Sequence, residues 1–186
     1  MLLDIGAGIL LGLWLGPSGS TLANVLLGIG LVLLPDLDTL IYFSIRRTRL
    51  GSRLRDHREL FHYPLIYLTV GSLIVVLTYP KLLPLFIAGS LAQFVHDSFG
   101  TGWGIPWLFP ISRKYFKFIY QYDLRQAGQP QWLVWAWTKP EMNQLSDKYG
   151  DKDWYKHTFQ IARDATWWHL FELAVFIIAV IVLIVR

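Results

Sequence analysis

The chain has 186 residues, of which 54% are hydrophobic and only 16% are charged. This composition is too apolar for an average soluble domain, and it indicates a single membrane domain comprising residues 1–186. The chain contains no cysteine, which excludes disulfides and thiolate metal sites, and its formal net charge of +4 matters through its distribution along the chain.

Five apolar segments are predicted to form transmembrane helices, so the expected fold is an all-α, polytopic membrane protein. The segments are residues 2–16, 22–43, 63–79, 82–99 and 167–185. The last three are near the roughly 20 residues that a helix needs to cross a bilayer, whereas the apolar parts of the first two are shorter. Because the first segment carries Asp4 and has no basic residues before it, we interpret it as a retained anchor and not as a cleaved signal peptide.

Basic residues set the expected orientation in an inner or plasma membrane. The positive-inside rule places an arginine-rich connection between the second and third segments in the cytoplasm. The amino terminus is then cytoplasmic and the carboxyl terminus lies outside. The arginines of this connection are Arg46, Arg47, Arg49, Arg53, Arg55 and Arg58.

A long segment, residues 100–166, separates the fourth apolar segment from the fifth. It is rich in Trp and Tyr, which argues against disorder. Residues 112–122 mix basic and apolar side chains, as is typical of a helix lying in the membrane interface, and residues 143–163 are predicted to form a polar surface helix. Because the basic residues flank membrane segments, membrane lipid is a better partner than nucleic acid.

Four groups of metal-type side chains lie at the ends of the apolar segments, all on the predicted cytoplasmic side. Ionisable groups near a bilayer core are costly, so they are functional candidates. Gln93, His96 and Asp97 share one helix face, where they either bind a divalent ion or cap the end of the helix. The candidate metal ligands are Asp4, Asp36, Asp38, His57, His62, Gln93, His96 and Asp97.

The other two pairs also have alternative interpretations. Asp36 and Asp38 follow Pro35, and a helix interrupted there lets both carboxylates face one site; otherwise they belong to a solvated helix end. His57 and His62 do not share a helix face, so a loop must bring them together. Otherwise they form a basic patch on anionic lipid head groups together with neighbouring arginines.

Several further side chains have possible catalytic or supporting roles. Asp56 and Glu59 are placed to orient an imidazole or to act as a general base, and Arg58 is placed to hold anionic oxygens of a substrate. His169 and Glu172, three residues apart at the start of the last segment, either complete the site or pair with each other.

In three of these groups the chain resembles the YdjM-type family of predicted membrane-bound, metal-dependent hydrolases. Residues 34–38 are similar to the Pro-Asp-x-Asp element of that family, and residues 57–62 to its His-Arg-Gly-x-Thr-His element. Residues 93–97, 100–104 and 107–110 are similar to its His/Asp helix and the tail that follows. The resemblance covers about residues 1–112. The chain departs from the family pattern at Glu59, Phe61 and Tyr63, and at Asp4 and Gln93, where His is expected.

The resemblance implies a metal-dependent hydrolase. Imidazole and carboxylate donors without cysteine favour zinc or manganese as the divalent ion. A position at the lipid head groups beside an arginine cluster favours a phosphoester of a lipid or amphiphile as the substrate. The alternative is a non-catalytic, metal-stabilised or lipid-binding scaffold. A transporter is disfavoured because the clusters lie at one edge of the membrane.

Overall fold

The computed structural model describes residues 1–38, 61–99, 102–119, 124, 127–150 and 167–186. Within these residues the chain is mostly helical and divides into two compact units. The first unit comprises residues 1–37, 66–96 and 165–186, and the second comprises residues 38–65 and 97–164. The assignment of the whole chain to a single membrane domain stays a prediction.

The helices of the apolar segments begin and end close to where the sequence predicts. A 3-10 turn over Leu34–Asp36 follows the second helix, and another over Pro80–Leu82 precedes the fourth. The extension of the second segment to residue 43 lies partly outside the described residues. The helices are α1 (Leu2–Leu15), α2 (Thr21–Leu33), α3 (Pro64–Thr78), α4 (Leu83–Phe99) and, later in the chain, α6 (Trp167–Val185).

In the first unit, α1 and α2 pack antiparallel through glycines. A Cβ added at Gly28 would clash with the carbonyl oxygen of Gly8, and one added at Gly12 would clash with that of Asn24. Backbones approach this closely only where side chains are absent, as in membrane helix pairs with small residues at the interface. The loop between the helices is held by Asn24, whose side chain makes two hydrogen bonds of 2.9 Å with the backbone of Ser18.

Helix α6 runs parallel to α1 in the same unit. Gly6 lies against the backbone of Phe176, and further along both helices Arg186 Nη1 donates a 2.7 Å hydrogen bond to the carbonyl of Leu13. Between these contacts a small apolar core forms. Its buried members are Ile9, Leu13, Val25 and Ala179.

The outward surfaces of these helices are apolar. Within the described ranges, one helix, which spans Pro80–Phe99 with its preceding turn, is long and apolar enough to cross a membrane; the other apolar helices are shorter. Large apolar side chains are widely exposed, among them Trp14 at 78%, Leu77 at 75% and Ile184 at 77%. Apolar surface this extensive is characteristic of contact with lipid or with a partner.

The second unit contains a two-stranded antiparallel sheet. Strand β1 (Tyr115–Phe118) pairs with β2 (Val134–Trp137), and Tyr115 lies opposite Trp137. The prediction of an interfacial helix over 112–122 is therefore wrong for residues 115–118. The described part of the chain is mostly helical, as predicted, with this small sheet in addition. The physical reason is that both runs are rich in aromatic residues, which favour the pleated, half-buried surface of a sheet once a partner strand is available.

A short helix, α5 (Lys139–Tyr149), follows the sheet and completes the core of this unit. Its first turn is capped by Glu141, which accepts hydrogen bonds from the backbone N–H and the hydroxyl of Thr138. The bond from the Thr138 backbone lowers the pKa of Glu141. The predicted surface helix over 143–163 is confirmed up to residue 149, and residues 151–163 lie outside the described part. The core consists of Trp103, Leu124, Trp137 and Met142.

Candidate metal centre

A fully buried imidazole, His62, lies between two carboxylates of the second unit. Its Nδ1 is 2.8 Å from Oδ2 of Asp38, and its Nε2 is 3.0 Å from Oδ2 of Asp97. His62 and Asp38 are 0% exposed, and Asp97 is 6% exposed. Burying two acidic side chains is costly unless they are hydrogen-bonded, paired with positive charge or bound to a metal.

The contact with Asp38 orients the imidazole of His62. Nδ1 faces Asp38 and Nε2 faces Asp97. A carboxylate at one ring nitrogen is the arrangement that orients imidazole ligands in metalloproteins. The role of Asp38 as a metal ligand itself stays a prediction.

Asp36 is held by an amide from α4. Gln93 Nε2 donates a 2.8 Å hydrogen bond to Oδ2 of Asp36, and Gln93 is only 2% exposed. In the second unit, His62 Nε2 and Asp97 Oδ2 are 3.0 Å apart. Ions such as zinc bind these atom types at about 2.0–2.2 Å, so two ligands of one ion are separated by up to about 4.4 Å. This pair of imidazole and carboxylate donors fits a divalent cation.

Aromatic residues of the second unit pack around the segments that carry His62 and Asp97. Trp107 Nε1 donates a 2.7 Å hydrogen bond to Oγ of Ser98, the buried neighbour of Asp97. The ring of Phe109 lies 4.6 Å from that of Tyr63, the neighbour of His62. Trp107 and Phe109, from the tail that the sequence grouped with the His/Asp helix, thus contact the residues next to Asp97 and His62.

His96 belongs to a different cluster from the one that its spacing predicts. Its Nδ1 pairs with Oδ1 of Asp4, and its Nε2 lies 3.1 Å from Oε1 of Glu172. The imidazole therefore joins α1, α4 and α6 inside the first unit. Gln93 contacts Asp36, and Asp97 contacts His62, so each of the three residues has a different partner. Their roles as metal ligands stay predictions.

Sequence reasoning named Glu172 as a candidate and left open whether it completes the site or pairs with His169. The available signal was a carboxylate in the first turn of an apolar helix, where an ionisable group needs a partner. In the structure, Oε1 of Glu172 lies 3.1 Å from Nε2 of His96, which belongs to another helix. Four further candidates, Asp56, His57, Arg58 and Glu59, lie outside the described residues.

Together, apolar helices with exposed outer surfaces and a buried imidazole between carboxylates define a helical membrane protein with a possible metal-binding site. The family model of the YdjM inner membrane protein matches residues 3–185, and the chain belongs to this family. The resemblance found in residues 1–112 is confirmed, and the match extends through the aromatic-rich segment. No curated protein and no solved structure matches the chain.

Proposed function

We propose that the protein is a membrane-bound, metal-dependent hydrolase whose divalent ion is held by His62 and Asp97, with Asp36 as a further ligand. The observation that carries this proposal is the contact between two metal-type side chains of the second unit, in which His62 Nε2 lies 3.0 Å from Oδ2 of Asp97. Both side chains are buried, so an ion is a reason for their presence there.

Other residues orient these ligands. Asp38 accepts the Nδ1 proton of His62 and directs Nε2 toward the ion, and Gln93 holds one oxygen of Asp36. A divalent ion in such a site supplies Lewis acidity, which activates water and polarises a substrate oxygen. Zinc or manganese matches a donor set of imidazole and carboxylate.

The proposed substrate is a phosphoester of a lipid or amphiphile. Membership of an inner membrane protein family supports this choice, because lipids and other amphiphiles are the molecules present at a bilayer. In this proposal Arg58 holds the anionic oxygens, and Asp56 or Glu59 transfers the proton. His57 is retained as a further ligand candidate for a second ion.

A hydrolysis assay tests the proposal. Protein purified in detergent and loaded with zinc or manganese is expected to cleave at least one member of a panel of phosphoesters. Asp97→Asn is expected to abolish this activity, whereas the matched control Asp147→Asn, at an exposed position on α5, retains it. Stoichiometric metal without turnover of any phosphoester or carboxylic ester would instead favour the metal-stabilised scaffold.

We further propose five membrane crossings, with the amino terminus in the cytoplasm and the carboxyl terminus outside. Helix directions in the first unit support an alternating path, since α1 is antiparallel to α2 and parallel to α6. Contacts of Asp4 with His96 and of Asp36 with Gln93 join the start of α1 to the end of α4, and the end of α2 to α4. This agreement supports one common side for the polar clusters.

Cysteine labelling in intact cells tests this topology, because the chain contains no cysteine of its own. A membrane-impermeant thiol reagent is expected to label Lys81→Cys from outside. Gln144→Cys is expected to react only after the cells are opened. The reverse pattern would contradict the orientation, and labelling of both positions from outside would contradict the cytoplasmic location of α5.

A further inference from the structure

We propose that the tip of the β1–β2 hairpin inserts into the head-group region of the lipid bilayer. The hairpin tip is defined as Ile119 together with residues 127–134. This surface lies in the second unit and does not take part in the metal centre. The proposal is independent of the hydrolase function.

The tip exposes large apolar side chains next to one another in the chain. Trp132 is 61% exposed, Leu133 is 77% exposed and Val134 is 55% exposed. Ile119 joins this group at 48% exposure, and its backbone N–H donates a 2.7 Å hydrogen bond to the carbonyl of Leu133. A cluster of this kind on a protein surface marks a site of contact with lipid or with a partner.

The composition of the tip favours the membrane interface over a protein partner. Residues 127–134 are all exposed, yet none of them is charged, and the polar ones are glutamines. By contrast, α5 begins only a few residues later and carries Lys139, Glu141, Asp147 and Lys148. Tryptophan is enriched at the head-group level of a membrane, where its amphipathic ring contacts both lipid and water.

The backbone holds this apolar surface in a defined position. Leu124, in the connection between the strands, is buried in the core, and it accepts a 2.8 Å hydrogen bond from the N–H of Gln129. Ile119 has φ of 63°, a left-handed conformation that is unfavourable for a β-branched residue. A backbone conformation of this kind persists only where the surrounding structure holds it. The exposed side chain of Ile119 is therefore held in place by its surroundings.

Membership of an inner membrane protein family indicates that the hairpin tip contacts lipid. The protein resides at a bilayer, so lipid is present at high concentration next to a surface of this type. Insertion of three or four apolar side chains removes area from water at about 25 cal/mol per Å². We therefore propose lipid as the contact of the hairpin tip. Contact with a second copy of the chain or with another protein is a result that the experiment below would detect.

Spin labelling of single cysteines measures the depth of the tip directly. Leu133→Cys and Trp132→Cys are labelled in the full chain and reconstituted into phosphatidylcholine–phosphatidylglycerol vesicles. Relaxation by oxygen, which partitions into lipid, is compared with relaxation by a water-soluble nickel chelate. The control is Gln144→Cys, an exposed position on the polar helix of the same unit.

The ratio of oxygen to nickel accessibility is expected to be several-fold larger at positions 132 and 133 than at 144. Equal ratios at all three positions would overturn the proposal, because the tip would then be in water. Exclusion of both reagents from 132 and 133 would also overturn it in favour of a protein contact. Because both side chains are largely exposed, labelling them leaves the core of the unit intact.

Discussion

Replacing His62 by alanine is expected to remove the bound metal. The imidazole is a proposed ligand, and it lies fully buried between Asp38 and Asp97 of the same unit. Orienting residues are typically worth about 10–100-fold in metal affinity, so Asp38→Asn is expected to weaken binding within that range. His62→Ala, which removes a ligand itself, is expected to weaken binding by more than about 100-fold. Metal analysis of purified protein and competition with a chelator measure both changes.

The matched control is His96→Ala, which deletes the same side chain from the neighbouring cluster. His96 contacts Asp4 and Glu172, so this variant is expected to keep its metal while losing thermal stability. Circular dichroism and gel filtration test whether His62→Ala remains folded, and Asp97→Asn provides a second ligand variant that changes the volume little. Equal metal loss in His62→Ala and His96→Ala would contradict the separation of the two clusters.

A single methyl group added at Gly28 is expected to destabilise the first unit strongly. A Cβ there would overlap the backbone of Gly8 and Gly12, and backbone atoms cannot rotate away as a flexible side chain would. Helices α1 and α2 must separate to make room, which loosens the contacts around Val25. Overpacking of this kind costs about 1–3 kcal/mol, and more where the backbone is the obstacle. Thermal unfolding of Gly28→Ala in detergent measures the loss.

Gly30→Ala is the control for this substitution. It lies two residues away on the same helix, and a Cβ at that position meets nothing within 4 Å. Alanine also favours the helix over glycine by up to about 1 kcal/mol, so this variant is expected to be as stable as the parent protein or slightly more stable. If both variants melted at the same temperature, the close approach of α1 and α2 would not hold in the protein.

The helices were largely predictable because their signal is local. Long apolar runs ended by polar or turn residues predicted both ends of α3, the start of α4 and the end of α6 to within one residue. The position of polar side chains at the ends of these runs could be read in the same way. The contact partner of each polar side chain could not be predicted, because helix spacing gives the direction of a side chain but not the neighbour that it contacts. Hence the sequence placed His96 and Asp97 in one site.

The hairpin shows a second limit of sequence reasoning. Residues 115–118 carry aromatic side chains that suit either an interfacial helix or a strand, and basic neighbours favoured the first interpretation. Pairing with residues 134–137 decides the outcome, and that partner lies sixteen or more positions further along the chain. Strand formation depends on such non-local contacts more than helix formation does, so no local pattern in 112–122 could have settled it.

Helix α4 carries His96 and Asp97 as consecutive residues, yet they point to different partners. Successive side chains on an α-helix differ in direction by about 100°. The angular setting of α4 is therefore fixed from two sides: a one-residue insertion or deletion before position 96 would turn an imidazole toward His62 or move a carboxylate out of reach. An insertion or deletion in α4 before position 96 is therefore expected to be more damaging than a conservative substitution there. The number of residues in this part of α4 is itself a constraint on how the sequence can vary.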